Sequence, residues 1–202
     1  MNVVRYNMNM TKDETYPLTI VGTRITLRDF TRDDGEAVDA YASDPLVTRH
    51  LDWGPNTKAQ TEEFLWHVID LAHIVPRQHF ELGIMENATH RLIGGARITV
   101  RSPIHRMGDI GYVLRRDSWG QGYGTDVARL LIRFGLASLG LHRIEATCDP
   151  ENQASRRILE TCGMVIEGRR REHLWIRGHW RDSLLFAVLE PNRPGGAPSE
   201  NG

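Results

Sequence analysis

Apolar residues at Tyr123, Val127, Leu130, Leu131 and Phe134 recur at the spacing of one helical face, and predict a helix over about 122–139. Earlier in the chain, Val38, Tyr41 and Ala42 mark a helix opened by Thr31, with Asp34 in the reciprocal capping position, and ended at Asp44–Pro45. Phe64, Val68 and Leu71 mark another over about 59–74, closed by Pro76. Period-two alternation or short apolar runs predict strands around a turn at Gly22–Thr23, and over 79–85, 91–100, 109–114 and 143–148. Gly94–Gly95 marks a bulge in the second of these central strands. A helix over 151–162 follows Asp149–Pro150 and stops at Gly163, and strands over 164–171 and 180–189 flank a loop containing Gly178.

The resulting order is β-α-α-β-β-β-α-β-α-β-β, one α/β domain with a mixed sheet. The domain is expected over 16–190, between a flexible polar arm at 1–15 and a disordered Pro/Gly-rich tail at 191–202.

Composition narrows the function classes. Twenty-five basic against 26 acidic residues leave a net charge of −1, so no global basic field is present to hold a nucleic acid or an anionic membrane. Cys148 and Cys162 are too few for a disulfide scaffold and lack metal-ligand spacing, so they read as free thiols and no metal is expected. No signal peptide is visible, and the most apolar segment is interrupted by Arg133; the expectation is a cytoplasmic protein. A homodimer is compatible with this composition.

Chemistry concentrates at Gly120, Gly122 and Gly124, between a strand and a helix start. Glycines there leave backbone N–H groups unshielded beside the positive end of a helix dipole, which makes a phosphate or pyrophosphate site. No lysine follows them, against a P-loop. The dinucleotide fingerprint is missed by one position, although Asp149 imitates its ribose-binding acid.

The block Trp119-Gly120-Gln121-Gly122-Tyr123-Gly124 resembles the pyrophosphate loop of the GNAT superfamily of N-acetyltransferases. Asn152-x-x-Ser155 with Gly163–Met164 and Glu167–Gly168 resembles the signature of its RimJ/RimL branch, and Trp53 and Asp182 fit that branch too. The similarity spans roughly residues 18–190. Trp119 replaces the usual Gln or Arg, and Leu159 stands where many members carry a tyrosine acid.

The resemblance implies a mostly antiparallel sheet with a splayed central strand pair, and acetyl transfer from acetyl-CoA to an amine by direct attack. It implies that Gly120, Gln121, Gly122, Tyr123, Gly124 and Thr125 hold pyrophosphate through the main chain. Tyr112, Val113 and Leu114 would offer a free strand edge to pantetheine, with the N–H of Val113 or Leu114 facing the oxyanion. Asn152 would seat the thioester arm, and Ser155, in the absence of a tyrosine at 159, would stabilise the leaving thiolate. Candidate bases for the amine are Glu81, which is preferred, then Asp109, Glu145 and His105; Trp53 and His50 would wall the acceptor site. The acceptor would be a protein N-terminus or an amine-bearing small molecule. A non-catalytic acyl-CoA sensor and a dinucleotide-binding protein are the alternatives.

Overall fold

The computed structural model describes residues 16–191, so the calls on 1–15 and on 192–202 lie outside the described residues. Eight strands form one sheet in the order β1-β2-β3-β4-β5-β6-β8-β7. They are β1 (Thr19–Val21), β2 (Ile25–Asp29), β3 (His79–Glu86), β4 (Leu92–Ser102), β5 (Met107–Leu114), β6 (Arg143–Cys148), β7 (Val165–Ile176) and β8 (His179–Leu189). All neighbours pair antiparallel except β5 and β6. The helices are α1 (Gly35–Ala42), α2 (Pro45–Thr48), α3 (Lys58–Ala72), α4 (Tyr123–Ala137) and α5 (Gln153–Thr161).

Two features depart from the expected order. The first strand is a hairpin of two, closed where the Gly22 N–H donates to the Ile25 carbonyl at 2.8 Å. Asp44–Pro45 ends one helix but also begins α2: the Asp44 carboxylate accepts from the Leu46 N–H at 2.9 Å, with Pro45 at the first helical position. Both departures come from turn residues that close one element and open the next.

Thr31 and Asp34 pair as expected, the Thr31 N–H donating to the Asp34 carboxylate at 2.7 Å, but the first turn they open is 3-10 before α1 begins. The last hairpin is longer than expected and has only a two-residue turn, Arg177–Gly178, because both residues take the left-handed conformation that a tight connection needs.

Each face of the sheet buries its own core. Phe80, Leu82, Ile84, Ala96, Ile98, Ile110 and Ile144 pack under α4, whose five expected core residues are all buried. The opposite face carries α1–α3 over Phe30, Leu65, Val68 and Val113. Near the sheet edge Arg77 and Asp29 form a buried ion pair at 2.5 Å, and Asp29 also accepts from the Leu18 N–H at 2.7 Å. No described helix is long and apolar enough to cross a membrane.

The feature that positions the site is in the middle of the sheet. β5 and β6 pair only at Met107↔Arg143, Gly108↔Ile144 and Asp109↔Glu145, and then part. On the other side β5 stays paired with β4 up to Gly94↔Leu114. That closeness requires glycine at 94, since a Cβ there would stand 2.1 Å from the Val113 carbonyl oxygen. The bulge foreseen at Gly94–Gly95 falls one residue earlier, at Ile93, where the register with β3 shifts.

Candidate active site

Where β5 and β6 part, a cleft of about 1070 Å³ passes between the helical layers. Alternation along β5 decides which groups face it. The Arg115 N–H donates to the Ile93 carbonyl at 2.8 Å, so odd-numbered β5 residues bond to β4 and even-numbered ones point their peptide groups toward the gap. The N–H groups of Tyr112 and Leu114 therefore line the opening. Val113, an equal candidate from sequence, has its N–H committed to β4 opposite Gly95 and so does not face the gap as an oxyanion donor. Its side chain packs instead in the α1–α3 core.

One end of the cleft is the glycine turn. Gly120 and Gly122 have φ of +74° and +83°, a conformation that favours glycine, and Gly122 is the N-cap of α4. The N–H groups of Gly120, Gln121, Gly122, Tyr123 and Gly124 donate to no acceptor among the described residues. The Thr125 N–H is different: it donates to the Gly122 carbonyl at 3.1 Å inside the turn, which removes it from the expected donor set. Arg24 braces the turn from β1–β2, donating to the Gln121 carbonyl at 2.9 Å and pairing with Asp126 at 2.6 Å. The Tyr123 side chain turns away and donates to Glu86. The turn fits a pyrophosphate: exposed N–H groups, a helix N-terminus, and a cradle that side chains would fill.

Asn152 is the N-cap of α5, not a residue within it, and its Oδ1 accepts from the Ser155 N–H at 3.0 Å. Its Nδ2 remains to donate. The Ser155 hydroxyl lies 3.5 Å from the Tyr112 hydroxyl, and burial raises the Tyr112 pKa, keeping it protonated. Leu159 is 1% exposed, a core residue that supplies no acid. Tyr112 was expected only for its backbone. Its hydroxyl was missed because pairing with Ser155 depends on β5 and α5 meeting across the gap.

The other face of the sheet brings a second group of polar residues to the cleft. Glu81, on β3 beneath α1, is 26% exposed; burial pushes its pKa up to about 7 against the opposing pull of Arg97, 4.0 Å away. It lies two strands from the gap, with β4 between. The remaining base candidates are placed elsewhere. Asp109 is tied to Arg97 and Arg101, and Glu145 to Arg143 and Arg170. His105 sits in the turn before β5, at the closed end of the strand pair.

His50 and Trp53 both line the cleft, on the 49–57 connection between α2 and α3. His50 is bound by a partner the sequence did not indicate: its Nδ1 is 2.9 Å from Oδ2 of Asp149, the residue after β6. The Glu151 N–H donates to Asp149 Oδ1 at 2.9 Å and Arg181 Nη1 lies 3.5 Å from Oδ2. Burial would raise the Asp149 pKa, but these donors outweigh it and hold the carboxyl below its usual value. Asp149 is thus not free to act as the ribose acid of a dinucleotide site.

The hairpin of β7 and β8 reaches over to the same connection. Arg177 donates from Nη2 to the carbonyls of Thr48, Trp53 and Gly54 at 3.1, 3.0 and 2.8 Å, and from Nη1 to that of Leu51 at 3.3 Å. Arg181 donates to the His50 carbonyl at 2.9 Å. Two guanidinium groups fix the backbone of this connection.

A strand pair that parts beside a glycine turn at a helix start is the arrangement the sequence resemblance implied, and the sequence model described as an acetyltransferase (GNAT) domain matches residues 24–165. The chain belongs to the GNAT acetyltransferase family. It is similar to an uncharacterized N-acetyltransferase p20 of Bacillus licheniformis, 30% identical over 85% of this chain and 96% of that one. It is also similar to the [ribosomal protein uS5]-alanine N-acetyltransferase of Escherichia coli, 30% identical over 56% of this chain and 59% of that one. Among solved structures, Mycobacterium smegmatis RimJ in complex with a CoA disulfide superposes with a TM-score of 0.76 at 25% identity, covering 87% of this chain and 88% of that one. This GNAT protein is an acyltransferase with the N-acetyltransferase fold of the RimJ/RimL type.

Proposed function

We propose that the protein transfers an acetyl group from acetyl-CoA to a primary amine by direct attack within a ternary complex. The observation that carries this reading is the parting of β5 and β6, which joins a donor cradle on one face of the sheet to a polar acceptor pocket on the other. Acetyl-CoA supplies the activated acetyl group.

The main chain at residues 120–124 holds the pyrophosphate, and the open edge at Tyr112 and Leu114 takes the pantetheine amides as an added strand. The Leu114 N–H faces the developing oxyanion, and the Asn152 Nδ2 donates to the thioester arm. Ser155, backed by the protonated Tyr112 hydroxyl, stabilises the departing thiolate. Tyr112 thereby fills the role that Leu159 leaves empty, which weighs against a non-catalytic acyl-CoA sensor.

Glu81 fits its assigned role by charge more than by place. Two strands from the gap, it draws a cationic amine into the cleft and takes up its proton through water. The neutral amine is the nucleophile, and that favours an α-amine: about a sixth of it is neutral at pH 7, against about 0.04% of a lysine side chain. A protein N-terminus is therefore the preferred acceptor class, as in the uS5-alanine acetyltransferase, with small-molecule amines as the second.

Isothermal titration with acetyl-CoA, followed by thiol release with a panel of amines, tests this reading. Saturable binding, weakened at least tenfold in Gly122→Val with helix content unchanged, is the expected result. Absence of binding to the unaltered protein at millimolar acetyl-CoA would overturn it.

A further inference from the structure

We propose that His50, held by Asp149, is the catalytic group that takes the proton directly from the attacking amine; this rests on the acetyl-transfer reading above. Glu81 then acts on the approach of the amine and His50 on its reaction.

The geometry carries the assignment. Asp149 immediately follows β6, one lip of the gap, so the imidazole hangs where the opening reaches the acceptor face, whereas Glu81 is separated from β5 by a whole strand. An ionised carboxylate only accepts, so the 2.9 Å contact requires a proton on His50 Nδ1. In the neutral ring the lone pair is then on Nε2, at the edge of the ring away from Asp149. Nε2 has no hydrogen-bond partner among the described residues, and the side chain is 23% exposed in the wall of the cleft.

His50 is held through both its ring and its backbone. Asp149 fixes its plane, the Arg181 guanidinium binds the His50 carbonyl, and Arg177 binds the carbonyls on either side of it at Thr48 and Leu51. Asp149 is itself 9% exposed and fixed by the Glu151 N–H. Among the described residues, the charged groups that contact His50 or the backbone beside it are Asp149 from the end of β6, Arg181 from β8 and Arg177 from the β7–β8 turn, while Arg49 and Asp52 of its own connection also line the cleft. A base whose orienting carboxylate is hydrogen-bonded on both oxygens has the arrangement of a positioned proton acceptor.

The step balances as follows. The amine nitrogen lone pair forms the C–N bond to the thioester carbonyl carbon, and an N–H proton passes to His50 Nε2. The C–S bond breaks with its electron pair on sulfur, and the thiolate, hydrogen-bonded by Ser155, takes a proton from solvent. The imidazolium returns its proton to solvent, leaving an amide and a free thiol.

The test uses the full chain, acetyl-CoA and an alanine-initiated tripeptide, with thiol release as the readout. His50→Ala is expected to lower kcat about a hundredfold with acetyl-CoA affinity within twofold, and added imidazole to restore part of the rate. Asp149→Asn should cost about tenfold, and the double variant should be no slower than His50→Ala by more than threefold. Added imidazole should do nothing for Glu81→Gln. A His50→Ala enzyme within twofold of the unaltered kcat, or one that binds acetyl-CoA but is not rescued by imidazole, overturns the assignment. Failure of the unaltered protein to bind acetyl-CoA would overturn the acetyl-transfer reading instead. Nitrogen-15 NMR of the imidazole, at a pH where the ring is neutral, gives a readout independent of any acceptor: the tautomer protonated at Nδ1, lost in Asp149→Asn, is expected, and the tautomer protonated at Nε2 alone would sink the proposal.

Discussion

The indole N–H of Trp119 donates to the Leu114 carbonyl at 2.9 Å, joining the glycine turn to the last residue of β5. That carbonyl points away from β4, and the N–H of the same residue points with it into the gap. Trp119 stands where the family pattern has Gln or Arg, and here it sets the peptide proposed to face the oxyanion. In Trp119→Phe the ring bulk stays and the donor is lost. One hydrogen bond of this kind is worth about 1 kcal/mol, so kcat/KM for acetyl-CoA should fall about fivefold. Steady-state kinetics at saturating acceptor would show it; an unchanged value would mean that β5 holds its end without the indole.

Glu81 gives opposite signs for stability and function. Its folded pKa of about 7 lies above the ordinary carboxyl value of 4.5, so between these pH values the folded protein holds a proton that the unfolded chain has released. Stability from this group is present below about pH 4.5 and is lost as pH rises through about 7. Glu81→Gln should therefore be more stable than the unaltered protein by about 1–2 kcal/mol at pH 8 and no more stable at pH 4.5. The acceptor KM of the unaltered enzyme should fall as pH rises through 7, and this dependence should flatten in the variant. Thermal melts and acceptor titrations at both ends of the range check the two halves separately.

Ser155 and Tyr112 meet on the donor side, at 3.5 Å between hydroxyls. Ser155→Ala should lower turnover at least tenfold with acetyl-CoA affinity within twofold, and Tyr112→Phe should do the same if its proton reaches the thiolate through Ser155. A Ser155→Ala enzyme with full turnover would leave that residue as a first-turn helix residue capped by Asn152.

Arg177 separates acceptor positioning from chemistry. Its backbone has φ of +48°, so Arg177→Gly removes the guanidinium without adding strain, whereas an alanine would confound the two. The carbonyls of Trp53 and Gly54 in the proposed acceptor wall lose the Arg177 donor, and those of Thr48 and Leu51 keep only the Leu51 N–H and Arg181. The acceptor KM should rise several-fold with the acetyl-CoA KM unchanged, and methylguanidinium in solution should recover part of the loss. Equal changes in both KM values would show that the hairpin supports the whole fold instead of the acceptor wall.

What could be read from the chain was set by neighbours in sequence. Helical periodicity in α4, the Thr31–Asp34 start, the stop at Gly163 and the glycine turn all depend on hydrogen bonds or backbone angles within a few residues, so their residue types announce them. The Asn152 cap was legible as part of a pattern, although its Oδ1 turned out to bind the helix.

The tertiary structure decided the rest, because strand order and parity bring together residues with no local relation. Asp149 reaches His50 across 99 positions and Arg177 reaches Trp53 across 124. Val113 and Leu114 are neighbours with the same claim in sequence, and only the ladder to β4 turns one inward and the other toward the gap. Local hydrogen bonding writes the elements into the chain, while the meeting of their side chains is settled by how the sheet twists apart and what packs over each face.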